Sequence, residues 1–228
     1  DVCSSDLDIN DSALLPSAKD NGTVLLGLGD IKGLKKGAKK LLASRSGVPF
    51  ESMEDFITRA KPTKTQLDAL TEVGALDRFG ARDNMSPVEK WVAELSRLGI
   101  VLSAENPLDV YADQVRKFVT DNPPNQAVPA ISRLGGLSLG AHRSIGICEA
   151  VETKRIKSGL MATFTVSNRQ GDREKIIAWP KAFENPMTRL GEVKPGTIAV
   201  FNLLVKNGFL GSGKDYFTDR VTIFHPRE

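Results

Sequence analysis

The chain has 228 residues, with 31 Lys and Arg against 28 Asp and Glu, a formal net charge of +3. At 40% hydrophobic and 26% charged residues it has the composition of a soluble folded protein, and no run of about 18 apolar residues could span a bilayer. Two cysteines (Cys3, Cys148) and two histidines (His142, His225) are too few for a disulfide framework, a zinc site or a His-based triad. The mild basic excess permits a nucleic-acid partner without requiring one.

In chain order, Asp1 to Leu7 reads DVCSSDL, which resembles a translated sequencing adapter joined to a reading frame. Residues 1–7 are therefore set aside as an artefact. Asp6, Asp8 and Asp11 would otherwise suggest a carboxylate cluster for metal-assisted phosphoryl transfer; without Asp6 the expected reading is a polar terminus. Next comes Gly27 to Arg45, in which Lys32, Lys35, Lys36, Lys39, Lys40 and Arg45 follow a glycine-bearing turn with no acid from Ile31 onward. Turn N–H groups, a helix start and lysines are the chemistry of phosphate binding, and they are equally the pattern of a solvated helix face. Gly27-Leu28-Gly29 fails the dinucleotide fingerprint, because the third glycine falls one residue late, at Gly33.

Helix starts recur after that. Ser52 with Asp55 caps a helix through Arg59. Thr63 with Gln66 forms a capping box ahead of a Leu67, Leu70, Val73 stripe stopped near Gly74. Ser86-Pro87-Val88-Glu89 is a third start, followed by Trp91, Val92, Leu95 and Leu98 and ended by Gly99. The Pro- and Gly-bearing stretch from Thr120 to Gly140 predicts a boundary, giving a helical region over 8–120, a linker over 121–141 and a second domain over 142–226.

The second domain reads as strands over about 144–153, 160–167 and 174–179, a helix over about 181–190, and strands over about 197–206 and 216–224. That order is the order of an OB-fold, a small five-stranded barrel, so the fold class is α+β. The loop joining the first two strands carries Lys154, Arg155 and Lys157. Tyr216 and Arg220 share the polar face of the last strand, opposite Val221 and Ile223. Such loops and faces bind single strands by charge and base stacking. Trp179 ends the third predicted strand. Gly208 to Lys214 imitates the start of a P-loop, but Asp215 replaces the hydroxyl residue and a strand is predicted to follow, so nucleotide binding is disfavoured.

Ile31-Lys32-Gly33-Leu34, with Gly27-Leu28 before it, resembles the helix-hairpin-helix segment of the bacterial C-family DNA polymerases, the DNA polymerase III alpha family. Asp8-Ile9-Asn10 with Ser12, the stretch Val48 to Phe56, Leu70 with Gly74 to Asp77, and Leu98 to Ser103 with Pro107-Leu108 resemble further segments of it, in the same order. The chain departs from the family where Lys35 replaces the second hairpin glycine and where Ser103 to Pro107 replaces its Ser-Gly-His-Pro. It is also shorter between Asp77 and Ser86.

The resemblance implies a DNA-binding section of a replicative polymerase. The hairpin (Lys32, Gly33, Lys35, Lys36, Lys39, Lys40) would hold duplex DNA by its phosphates. The OB domain (Lys154, Arg155, Lys157, Tyr216, Arg220) would hold single-stranded template. It further implies that the catalytic carboxylates lie before residue 8, so this section carries no catalytic or metal-binding residues and needs no cofactor. Mg²⁺ would belong to the parent nucleotidyltransferase. Cytoplasmic location and other replisome subunits as partners are implied too. The family's sliding-clamp peptide is not found in the sequence, and Gln114 to Phe118 reads as a helix end. The alternative is a stand-alone single-strand-binding OB module with a helical appendage.

Overall fold

A computed structural model describes residues 7–18, 24–123, 131–208 and 213–227, and for Lys35 and Lys36 the backbone alone. The chain divides into two compact units, Asp1–Glu105 and Asn106–Glu228.

The first unit holds a two-stranded ribbon, β1 (Ser17–Ala18) and β2 (Val24–Leu25), then a 3-10 turn over Leu28–Asp30. Four helices follow: α1 (Lys35–Ser44), α2 (Met53–Ala60), α3 (Lys64–Glu72) and α4 (Pro87–Leu98). Their ends are fixed by local chemistry. Ser52 Oγ accepts from the Asp55 N–H at 3.1 Å. Thr63 with Gln66 and Ser86 with Glu89 close two full capping boxes, and Gly99 stops α4 with φ of 80°. Leu28, Ile31, Leu34 and Leu41 bury against Phe56, Leu70 and Leu76, and Phe50 meets Phe56 edge-on at 5.1 Å. Leu7 and Ile9 are wholly buried in the same core. Leu7, set aside on its sequence context, is thus part of the packing.

The stripe expected on α4 is only partly apolar. Trp91 is buried, but the residue one turn on is Glu94, with no exposed surface. Its carboxylate accepts from Arg82 at 2.8 Å, from Ser103 Oγ at 2.6 Å, and from the N–H groups of Leu102, Ser103 and Ala104. Arg82 is fully occupied, because it also grips Asp77 and donates to Ser103 Oγ. Burial opposes the charged form of Glu94, and the converging donors outweigh it and hold the carboxyl below its ordinary value. This buried pair pins the segment after α4 onto the helical core.

The second unit begins with α5 (Pro107–Val110) and α6 (Ala112–Asp121), which lie on the barrel unit although the boundary signals in the sequence come later. Tyr111 and Phe118 pack on Phe224 at 6.5 and 5.4 Å between ring centroids. Residues 124–130, within the predicted linker, lie outside the described residues. Then come β3 (Gly140–Ile156), β4 (Gly159–Ser167), β5 (Arg173–Ala178), the short α7 (Pro180–Phe183), β6 (Ile198–Asn207) and β7 (Lys214–Phe224).

The strand pairings run in a ring, β3-β4-β5-β7-β6 and back to β3. All pairs are antiparallel except β5 with β7. Five strands closed in that order, with a helix between the third and fourth, are the OB-fold. The barrel is filled by Phe164, Phe201, Val166, Ile176 and Val221. At Gly146 an added Cβ would lie 2.4 Å from Val166 Cγ1 and 2.7 Å from the Ser167 carbonyl, so only glycine lets β3 cross β4 there.

The helix expected over 181–190 is instead one turn followed by two 3-10 turns, Pro186–Thr188 and Leu190–Glu192. Pro186 cannot donate into a continuing helix, Asn185 caps the next turn, and Arg189 adopts φ of 60° between the two turns. Cys148 is buried in the barrel wall, and burial pushes its thiol up to about 12. Burial thus disfavours the thiolate, the nucleophilic form.

Candidate nucleic-acid interface

In the first unit the hairpin is built around Gly33. The Leu34 N–H donates to the Ile31 carbonyl at 3.1 Å, closing a tight turn, and Gly33 takes φ of +94°. A Cβ there would also sit 3.3 Å from the Arg97 guanidinium. Lys35 opens α1 in helical backbone, so the position where the polymerase family has a second glycine needs no left-handed residue here. Arg97 braces the turn: its carbonyl accepts from the Lys32 N–H at 3.2 Å, and its guanidinium donates to the Lys32 carbonyl at 3.3 Å. Glu72 holds Arg97 in place through two hydrogen bonds. Lys32 Nζ donates to the Ser96 carbonyl at 3.1 Å, which ties that ammonium to the end of α4. Lys39 and Lys40 are exposed along α1, and Lys35 and Lys36 precede them in its first turn.

In the second unit Lys154 and Arg155 are not in a loop. They lie in the last ladder positions of β3, opposite Met161 and Leu160, because β3 runs on to Ile156. The hairpin turn itself is Lys157-Ser158 alone, and all three basic residues are exposed. The basic group therefore stands on a stiff ribbon tip. Arg220 is exposed opposite Asn202.

Tyr216 corrects the expectation. It is 5% exposed and sits in the barrel core, not on a polar face with Arg220. The cause is a bulge: Asn202 pairs with Arg220 but Leu203 pairs with Thr218, leaving Asp219 as an extra residue. One extra residue inverts the alternation, so Tyr216 and Thr218 point inward together with Val221 and Ile223. Burial, then the neighbouring Glu174 carboxylate, push the Tyr216 hydroxyl above its ordinary value.

The inversion turns Phe217 outward, where Trp179 lies flat on it with centroids 6.2 Å apart and planes 11° from parallel. Lys206 Nζ stands 5.7 Å from the Phe217 centroid. Trp179 is 51% exposed. Sequence reasoning read it as a strand end and passed over Phe217; the outward row Lys175, Ile177, Trp179 was the available signal. Residues 209–212 of the imitation P-loop lie outside the described residues, and Lys214 opens a strand, not a helix.

Among the described residues no group of three or more His, Cys, Asp or Glu is arranged to hold a metal ion. Asp8 is committed elsewhere: its carboxylate accepts from the Asn10 and Asp11 N–H groups and pairs with Arg78. No described helix is long and apolar enough to cross a membrane.

A family model described as a helix-hairpin-helix motif matches residues 4–85. A DNA polymerase III subunit alpha from Thermus aquaticus is 28% identical over 213 residues, covering 75% of this chain and 17% of its own length. Over that stretch the chain is similar in sequence to a DNA polymerase III alpha subunit. The same subunit from Pseudomonas aeruginosa is 36% identical over 78 residues, covering 32% of this chain and 7% of its own length. The chain thus spans less than a fifth of these alpha subunits. Among solved structures, a mitochondrial single-stranded DNA binding protein from S. cerevisiae aligns with a TM-score of 0.31 at 9% identity, over 40% of this chain and all of its own.

Proposed function

We propose that this chain is a DNA-binding section of a replicative DNA polymerase, with the hairpin unit on duplex phosphates and the barrel on single-stranded template. The observation that carries the reading is the coupling, in one chain related to DNA polymerase III alpha subunits, of a matched helix-hairpin-helix motif with a closed five-stranded ring. Gly33 gives the turn its shape, and the lysines at 32, 35, 36, 39 and 40 supply charge without an evident base reader such as a paired Arg or Asn. Lys154, Arg155 and Lys157 concentrate charge at one barrel hairpin, where OB-folds bind strands. Mg²⁺ and nucleotidyl transfer belong to the parent polymerase in this reading. The described side chains offer no ligand set for the metal, so no chemical step is assigned to them.

Fluorescence anisotropy of the full chain with a labelled duplex and a labelled single strand tests the proposal. Both are expected to bind with little sequence preference and a steep loss with salt. If neither binds at low salt, the reading fails.

A further inference from the structure

We propose that the outer face of the barrel around Trp179 and Phe217 is a stacking platform for an unpaired base of single-stranded nucleic acid. This rests on the reading that the barrel engages single strands, and it assigns a second contact besides the basic hairpin. Trp179 follows directly on β5, on the outward row of Ile177. Phe217 lies between Ile177 and Leu204 in the ladder, and Leu204 is 43% exposed. The fold could have turned the indole inward; instead half of it faces water, held flat by Phe217 at 6.2 Å and 11°. Such a pair is already ordered, so a base that stacks on it costs little side-chain entropy.

The surroundings choose the ligand. Lys206 is exposed two residues beyond Leu204 on β6, with its ammonium 5.7 Å from the Phe217 ring centre, and Lys175 lies two residues before Ile177 on β5. Aromatic rings flanked by cations suit a base with its phosphate. Lys175, Lys206 and Asp215 interrupt the apolar patch along the same rows, whereas a protein interface needs roughly 800 Å² per partner around an apolar core. The position also fits: Trp179 immediately follows the third barrel strand and Lys206 leads into the connection to the last one, the region OB-folds present to oligonucleotides.

The molecule carries only one other tryptophan, Trp91, which is buried in the helical unit. In the full chain bearing Trp91→Phe, tryptophan emission therefore reports Trp179 alone. Titration with oligothymidylate is expected to change that emission, with the same midpoint as the anisotropy of a labelled strand. Trp179→Ala is expected to weaken oligothymidylate binding about 5- to 150-fold, as the loss of one stacked base does. Trp179→Phe should restore most of the affinity, and an abasic strand of equal length should bind parent and Trp179→Ala alike. A strand that binds with no change in Trp179 emission and unchanged affinity for Trp179→Ala would overturn the platform and leave the barrel reading standing. A parent chain that binds no single strand at all would overturn both. If Trp179→Ala alters only the sedimentation of the chain, the patch is a protein contact and the platform is refuted.

Discussion

Glu94 shows how much a single side chain can commit a segment. Its carboxylate is wholly buried and charged, with Arg82 and three consecutive backbone N–H groups on it. Its folded pKa is lower than its unfolded one, near 4.3, so its stabilising contribution is fully present above that unfolded value and is lost as pH falls through the depressed folded one. Thermal melts between about pH 3 and 7 should therefore show a loss below about pH 4 that is smaller in Glu94→Gln. An equal acid loss in both chains would place the titration elsewhere. Glu94→Ala should cost about 3–5 kcal/mol, because it leaves Arg82 with Asp77 as its one carboxylate partner and the N–H groups of Leu102, Ser103 and Ala104 without their acceptor. Tyr216 offers the opposite lesson. Tyr216→Ala should destabilise the barrel by about 3–5 kcal/mol, as emptying a core aromatic site does. Tyr216→Phe should change stability by only about 1 kcal/mol and leave DNA affinity unchanged. A Tyr216→Phe chain with normal melting but impaired binding would contradict the inward placement.

Elements were legible where their signals are local. Ser52, Thr63 and Ser86 cap three helices as their spacing to Asp55, Gln66 and Glu89 implies, and each barrel strand overlaps the stretch predicted for it, with β3 running longer at both ends. What escaped depends on partners far away in sequence. The Asp219 bulge exists only because β6 fixes both sides of it, and it decides which of Tyr216 and Phe217 meets water. The Glu94 pair depends on Arg82 and on the chain beyond α4. The end of β3 is another case: Lys154 and Arg155 read as loop residues until β4 extends the ladder to Gly159. This predicts a rigid basic tip. Lys154→Ala/Arg155→Ala/Lys157→Ala should lower single-strand affinity and flatten its salt dependence by up to about two units of log–log slope, with melting unchanged. Unaltered affinity would leave the tip as a plain hairpin. In the other unit, Lys35 opens α1 in helical backbone, a conformation that makes no demand for glycine. Lys35→Gly should therefore keep the fold. Lys35→Glu should weaken duplex binding and flatten its salt slope by about one unit; an unchanged slope would make α1 a solvated face.

At the scale of the whole molecule, two units with separate cores predict separable binding. Lys35→Glu should act on duplex affinity and the hairpin triple on single-strand affinity, and each should leave the other ligand's affinity within experimental error. Chemistry is a different matter from binding. Template-directed synthesis needs carboxylates that clamp two metal ions on the attacking and leaving oxygens. Among the described residues no group of three or more His, Cys, Asp or Glu is arranged to hold a metal ion, and Asp8, the best placed by sequence, is held by its own turn and by Arg78. The chain also spans only 17% of its Thermus aquaticus relative. Purified chain given primed template, Mg²⁺ and all four deoxynucleotides should therefore bind the template without lengthening the primer. The binding arm matters, since failure to extend means little for a protein that does not hold the substrate. Template-dependent extension that survives Asp8→Asn and Asp11→Asn would reveal a catalytic centre that the helical unit and the barrel do not display. Extension abolished by Asp8→Asn would restore those aspartates as metal ligands despite their place in the turn.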